Sequence, residues 1–335
     1  MIETVAPPPT TLPVPTTTSP WPGKRLFFGF HMPNLTFPGV EPAGLFEHLA
    51  GLARAAESAG FELLTVMDHF YQIGGVGPET NAMLESNTTL AGLAARTSRI
   101  HLGSLVSGVT YRNPAFFAKS VTTLDVISGG RAVLGLGAAW NEAEHEGYGY
   151  DFPPIGERMD RLDEALTIAR LMFTEDRPSF TGKHYRIERA LNSPRPIQAG
   201  GPPIIVGGGG EKRTLRIAAT HASMTHWFAG SVAGLRHKSE VLERHCEVVG
   251  RDPSTIVKTL GSPVLPVATE RDAAAALERI APERRAVLTP MTPERGAERL
   301  ATYMAEGFTG FTFGNTMLPT AADIEIAGEM LRLLR

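Results

Sequence analysis

The sequence predicts a (β/α)8 barrel with an insertion between strands 4 and 5, and three observations predict it. Apolar strand-like runs alternate with segments of helical spacing from residue 25 to the end. Successive runs end in polar or glycine-rich residues: Met67-Asp68-His69-Phe70, then Ser107-Gly108, Gly137 through Glu142, and Gly207 to Gly210. In a barrel the carboxyl ends of the strands share one face, so these endings describe one pocket. A doubly wound open sheet would place a glycine fingerprint after its first strand, and Gly29-Phe30-His31-Met32 supplies none.

Arg25–Phe30 reads as the first strand. A helix follows, with Leu45, Phe46, Leu49, Leu52, Ala53 and Ala56 on one side, stopping at Gly60. Leu63–Met67 is the second strand and Met83–Thr97 its helix. Arg99–Val106 is the third strand, followed by the helix Pro114–Ile127, with Asn113 as cap. Arg131–Leu136 is the fourth. Residues 138–203 then hold a helix, Glu157–Phe173, and a hairpin around Phe180–Ile187 before the fifth strand at Ile204–Val206. Ser223–Trp227, Ile256–Leu260 and Gly310–Phe313 complete the eight, and an amphipathic helix carrying Ile326, Met330, Leu331 and Leu334 closes the chain.

The chain has 335 residues, 42% of them hydrophobic, which is enough for one large α/β domain. A net charge of -3 gives no electrostatic case for nucleic acid or a membrane surface, and no apolar run approaches the roughly 20 residues that span a bilayer. Cys246 is the only cysteine, which fits a reducing compartment, and a cytoplasmic location is expected. Residues 1–22 are rich in proline and threonine, lack the pattern of a signal peptide, and are expected to form a disordered leader. Residues 23–335 are expected to form the barrel.

Four glycines at Gly207, Gly208, Gly209 and Gly210, between a buried strand and a helix beginning at Glu211 or Lys212, let backbone amides approach a phosphate. Gly137, Ala138 and Ala139 would let a flat ring lie against the backbone, although relief of crowding in the barrel explains them equally well. Asp68-His69 is the best candidate for polar chemistry, since a histidine on the catalytic face can move a proton near neutral pH. His145, Tyr148 and Tyr150 lie in the insertion over the same face. No metal site is expected: none of the ten histidines forms a zinc motif, and Glu144-His145-Glu146 lacks a second partner at useful spacing. No lysine stands at a strand end, as a Schiff-base aldolase would need.

Taken in their order and spacing, these motifs resemble the luciferase-like flavin- and deazaflavin-dependent oxidoreductases, and within them the branch using coenzyme F420. The resemblance covers residues 25–335. It implies a bulge at Leu105-Val106 with a non-proline cis peptide against the cofactor's middle ring, with Ser107 beside it. Ala138, Ala139 and Trp140 would flank the ring, and Gly207 to Gly210 would hold the phosphate. His145 and Tyr148 would reach the sugar or phosphate chain, and Asp68 and His69 would be the catalytic residues. In the family's sugar-phosphate dehydrogenases a catalytic glutamate falls at the position that aligns with Trp140, where this chain has no acid, which argues against that substrate. Trp140 with His31, Phe70, Tyr71 and Trp227 suggests a larger, apolar substrate. The expected activity is hydride transfer between reduced F420 and a small organic substrate. An FMN-dependent monooxygenase is the alternative, and a non-catalytic flavin-binding barrel the alternative of another class. A homodimer is expected.

Overall fold

In a computed structural model, residues 20–21, 25–280, 282, 285 and 287–335 are described. The strands in chain order are β1 (Phe27–Met32), β2 (Leu63–Val66), β3 (His101–Ser104), β4 (Ser107–Gly108), β5 (Ala132–Gly137), β6 (Phe180–Thr181), β7 (Arg186–Ile187), β8 (Ile204–Gly207), β9 (Met224–Trp227), β10 (Val257–Gly261), β11 (Val264–Pro266), β12 (Thr289–Met291) and β13 (Phe308–Gly314). The helices are α1 (Pro42–Ser58), α2 (Ser86–Ala94), α3 (Pro114–Ser128), α4 (Glu142–Tyr148), α5 (Ile155–Thr174), α6 (Thr214–His221), α7 (Val232–Val249), α8 (Glu270–Arg279), α9 (Pro293–Met304) and α10 (Ala321–Leu334).

The large sheet runs β3-β2-β1-β13-β10-β9-β8-β5-β4, and the β3–β5 pairing closes it. Because β3 and β4 are two stretches of one staggered strand, this is an eight-stranded parallel barrel. The third strand breaks at Leu105-Val106, where the peptide bond is cis, as the family resemblance implies. The insertion between the fourth and fifth barrel strands contains α4, α5 and the antiparallel β6–β7 hairpin. A second insertion, β11-α8-β12-α9, lies between the last two barrel strands, where β11 and β12 pair in parallel. The sequence reading did not anticipate it, because three-residue strands give too short an alternation to read.

Side chains alternate along each strand, so every second residue enters the barrel. At the amino end Phe27, Leu63, Val133, Ile205, Met224 and Val257 pack into one interior layer. The residues between them, such as Phe28, Phe30, Leu64 and Val206, join the larger core under the helices. Trp21 belongs to the interior layer, fully buried, its indole stacked on Phe27 at 4.1 Å and its Nε1 donating to Glu62 at 2.8 Å. That corrects the expected leader at its end: Trp21 is part of the barrel, and the remaining leader residues other than Pro20 lie outside the described residues.

Higher in the barrel the inward positions become small or polar. Gly29, Thr65, Gly135, Gly207, His226, Thr259 and Thr312 replace the bulky base, which leaves an open mouth at the carboxyl ends.

Candidate active site

A cavity of about 760 Å³ fills that mouth, within the range of roughly 300–1,000 Å³ usual for small-molecule sites. Of the expected residues, it is lined by His31, Asp68, His69, Leu105, Val106, Ser107, Ala138, Ala139, Trp140, Gly207 and Gly208. His226, Phe228, Thr312 and Met317 also line it.

His69 lines the cavity beside a partner that the sequence does not announce. Glu144 on α4 is fully buried and accepts from four donors. These are His69 Nδ1 at 2.8 Å, the amides of Phe70 at 2.6 Å and Tyr71 at 2.9 Å, and the Tyr111 hydroxyl at 2.8 Å. Burial raises the Glu144 carboxyl's proton affinity, but the bonds from His69, Tyr71 and Tyr111 outweigh it and hold the group below its ordinary range. A carboxylate can only accept, so Nδ1 carries the proton and Nε2 is left for the cavity. Burial, together with the bond to Glu144, pushes the Tyr111 hydroxyl's pKa upward, so that it remains a donor. Trp140 stands edge-on to the His69 ring at 5.4 Å.

Asp68 lines the cavity, but both of its oxygens are engaged. Oδ1 accepts from Ser86 Oγ at 2.7 Å and Arg112 at 2.9 Å, and Oδ2 from Arg112 at 2.6 Å and the Gly108 amide at 3.2 Å. No oxygen is left for proton transfer, so Asp68 ties the second strand ending to the third. The expectation of a catalytic Asp68 is corrected to a positioning residue.

Five other expected residues also change place. Trp227 is 2% exposed and packs on Phe308 at 5.5 Å, under the helices. Strand alternation sends it outward and His226 inward, so His226 takes the place expected for Trp227. His145 is fully buried, its Nδ1 donating to the Asn141 carbonyl and its Nε2 bonded to Thr110, both at 2.6 Å. It closes the α4 turn instead of facing a cofactor. Phe70 and Tyr148 stack at 4.3 Å and line a side cavity of about 330 Å³ that shares His69 and Tyr111 with the main one, while Tyr71 packs on Tyr148 and lines neither.

The glycine turn serves two purposes. A Cβ on Gly137 or Gly207 would meet Val106 Cγ2 at 2.8 or 2.7 Å, so these glycines make room for the Leu105-Val106 bulge. Gly208, at φ 104°, is in a conformation that favours glycine, and its amide donates to the His226 carbonyl. Gly209 and Gly210 lie outside the cavity lining. Among the described residues no protein partner is found for their amides. Lys238 donates to the Gly209 carbonyl at 2.6 Å, placing an ammonium at the turn. Helix α6 begins at Thr214, later than expected.

A flat ring with a phosphate tail suits this donor set. The bulge, Ala138 and Ala139 form a low wall, and two amides and a cation stand at the turn beside it. Among the described residues no cluster could hold a metal ion.

The model of the luciferase-like monooxygenases matches residues 27–332. The chain belongs to that family. Within it, the chain is 37% identical over 169 residues to an F420-dependent glucose-6-phosphate dehydrogenase of Nocardia farcinica, covering 48% of this chain and 47% of that protein. It is 30% identical over 219 residues to the pyrimidine monooxygenase RutA of Cronobacter sakazakii, covering 63% of each. The chain thus spans about half the length of the first relative and less than two thirds of the second. An F420-dependent secondary alcohol dehydrogenase in complex with an F420–acetone adduct shares the fold, with a TM-score of 0.76 at 18% identity over 93% of this chain and 99% of that one. No described helix is long and apolar enough to cross a membrane.

Proposed function

We propose that this chain is a coenzyme F420-dependent oxidoreductase that transfers a hydride between the deazaflavin and a small organic substrate in the main cavity. The carrying observation is that His69, its tautomer fixed by Glu144 so that Nε2 is the nitrogen left over, lines the same cavity as the Leu105-Val106 bulge. The likeness to an F420-dependent dehydrogenase supports the choice of cofactor, and that to a pyrimidine monooxygenase favours FMN as the second reading.

The bulge, Ala138 and Ala139 would hold the ring, and Gly209, Gly210 and Lys238 its phosphate. Bound in reduced form, the deazaflavin would supply the hydride. In that direction His69, charged as imidazolium and paired with Glu144, returns a proton to the substrate from Nε2. Where the substrate is instead oxidised and its hydride passes to the oxidised cofactor, neutral Nε2 takes the substrate's proton and Glu144 stabilises the imidazolium that forms. The apolar walls exclude water and hold the substrate near the wall of the bulge. A cytoplasmic homodimer completes the reading.

Calorimetric titration with F420 and with its phosphate-free nucleoside tests the placement of the tail. The phosphate should tighten binding in the native protein, and Lys238→Ala should remove about tenfold of that gain. Equal affinity for both compounds in the native protein would contradict it.

A further inference from the structure

Two histidines in the cavity mouth are not used by the proposed chemistry. His31 at the end of β1 bonds Thr65 through Nδ1, and His226 near the end of β9 bonds Thr259 through Nδ1, both at 2.9 Å. The Thr259 hydroxyl gives its own hydrogen to the Thr225 carbonyl at 2.7 Å. Its oxygen can therefore only accept from His226, which fixes the proton on Nδ1 and leaves Nε2 as an acceptor. Among the described residues no protein group bonds that nitrogen. Burial keeps both rings neutral, at about 3 for His226 and about 4 for His31.

The rest of the lining has one bias. Among the described residues it contains no lysine and no arginine, and its only carboxylate, Asp68, is spent on Arg112. Large apolar groups stand at the rim with their surfaces open: Phe228 is 89% exposed and Trp140 62%. Met317 and Leu288 line the wall beside them. An anionic group placed here would lose its water and meet no lysine or arginine among the described lining residues, while His69, when charged, is already paired with Glu144.

We propose that the substrate is an uncharged, largely apolar molecule that donates one hydrogen bond, from an O–H or N–H, to His226 Nε2, and that phosphorylated substrates are excluded. The idea rests on the redox reading of the cavity, and it separates this chain from the sugar-phosphate dehydrogenase it resembles in sequence. His226 is a specificity residue. Thr259 acts through it, by holding the tautomer that accepts.

Three naphthalene probes test this by calorimetry, on protein with and without F420: 1-naphthol, 1-methoxynaphthalene and 1-naphthyl phosphate. The native protein should bind 1-naphthol about tenfold more tightly than the methoxy compound, which lacks the donor, and should not measurably bind the phosphate. His226→Phe should make the first two equal. Thr259→Val, which keeps the ring and frees its tautomer, should narrow the gap, so the test stands even if His226→Phe fails to fold. The idea is overturned if naphthyl phosphate or glucose 6-phosphate binds as tightly as naphthol, if the native protein does not distinguish the first two probes, or if it binds none of the three. Failure to bind F420 while the naphthol preference persists would instead overturn the cofactor reading and leave this one standing.

Discussion

At the residue scale, the neutral histidines of the mouth carry a stability consequence whose sign is fixed. Burial, with a smaller push from a neighbouring histidine, holds His226 at about 3 and His31 at about 4, against 6.5 for the free group. As pH falls from 6.5 towards 4 the unfolded chain takes up protons that the folded chain refuses, so unfolding gains. The stability tied to these groups is therefore complete above 6.5 and is lost as pH falls through the folded values. Melting temperature should decline across that window in the native protein and decline less steeply in His226→Phe. A variant with the native slope would contradict the assignment. At this same scale the sequence placed His69 at the pocket and was silent on Glu144. The two stand 75 residues apart, and only folding α4 over the second strand ending brings them within 2.8 Å. The signal that was present is chemical: a histidine offered as a proton carrier needs an acceptor behind it, and α4 carries four acids or histidines in five residues.

Elements explain most of what composition left open. The barrel strands could be read because each is a short apolar run closed by glycine or a polar residue, and the large helices because their buried faces repeat at helical spacing. Which inward-facing residues reach the cavity could not be read, since a shift of one residue exchanges the two faces of a strand. That is why Trp227 was expected where His226 stands. The glycines of β5 and β8 illustrate the same limit: they suit a ligand's approach, yet the structure gives Gly137 and Gly207 a packing task against Val106. Gly207→Ala should therefore destabilise the barrel by about 1–3 kcal/mol, from overpacking. Adding Val106→Ala should recover much of that loss in a urea melt. If the double variant is no more stable than Gly207→Ala alone, the clash lies elsewhere.

On the scale of the whole molecule, the barrel is plugged at one end and open at the other. Trp21, Phe27 and the interior layer close the amino end, and the candidate site's cavity opens above them at the carboxyl end. Trp21→Ala should cost about 3–5 kcal/mol by opening a cavity that the parallel strands cannot collapse to fill. Chemical denaturation reads this directly, and a loss under about 1 kcal/mol would show that the indole is peripheral to the fold. Proline-rich composition pointed away from a structural role for this stretch, whereas the tryptophan itself was the residue to weigh, being too large and apolar to leave in solvent without cost.

The central claim is the cofactor, and a fluorescence titration of the purified protein with F420 and, in parallel, FMN tests it most directly. Tight binding of F420 at micromolar concentration, with FMN much weaker, is the predicted result. Tight binding of FMN alone would move the enzyme to the monooxygenase reading, and binding of neither would contradict the assignment of the cavity and its glycine turn to a flavin-like cofactor.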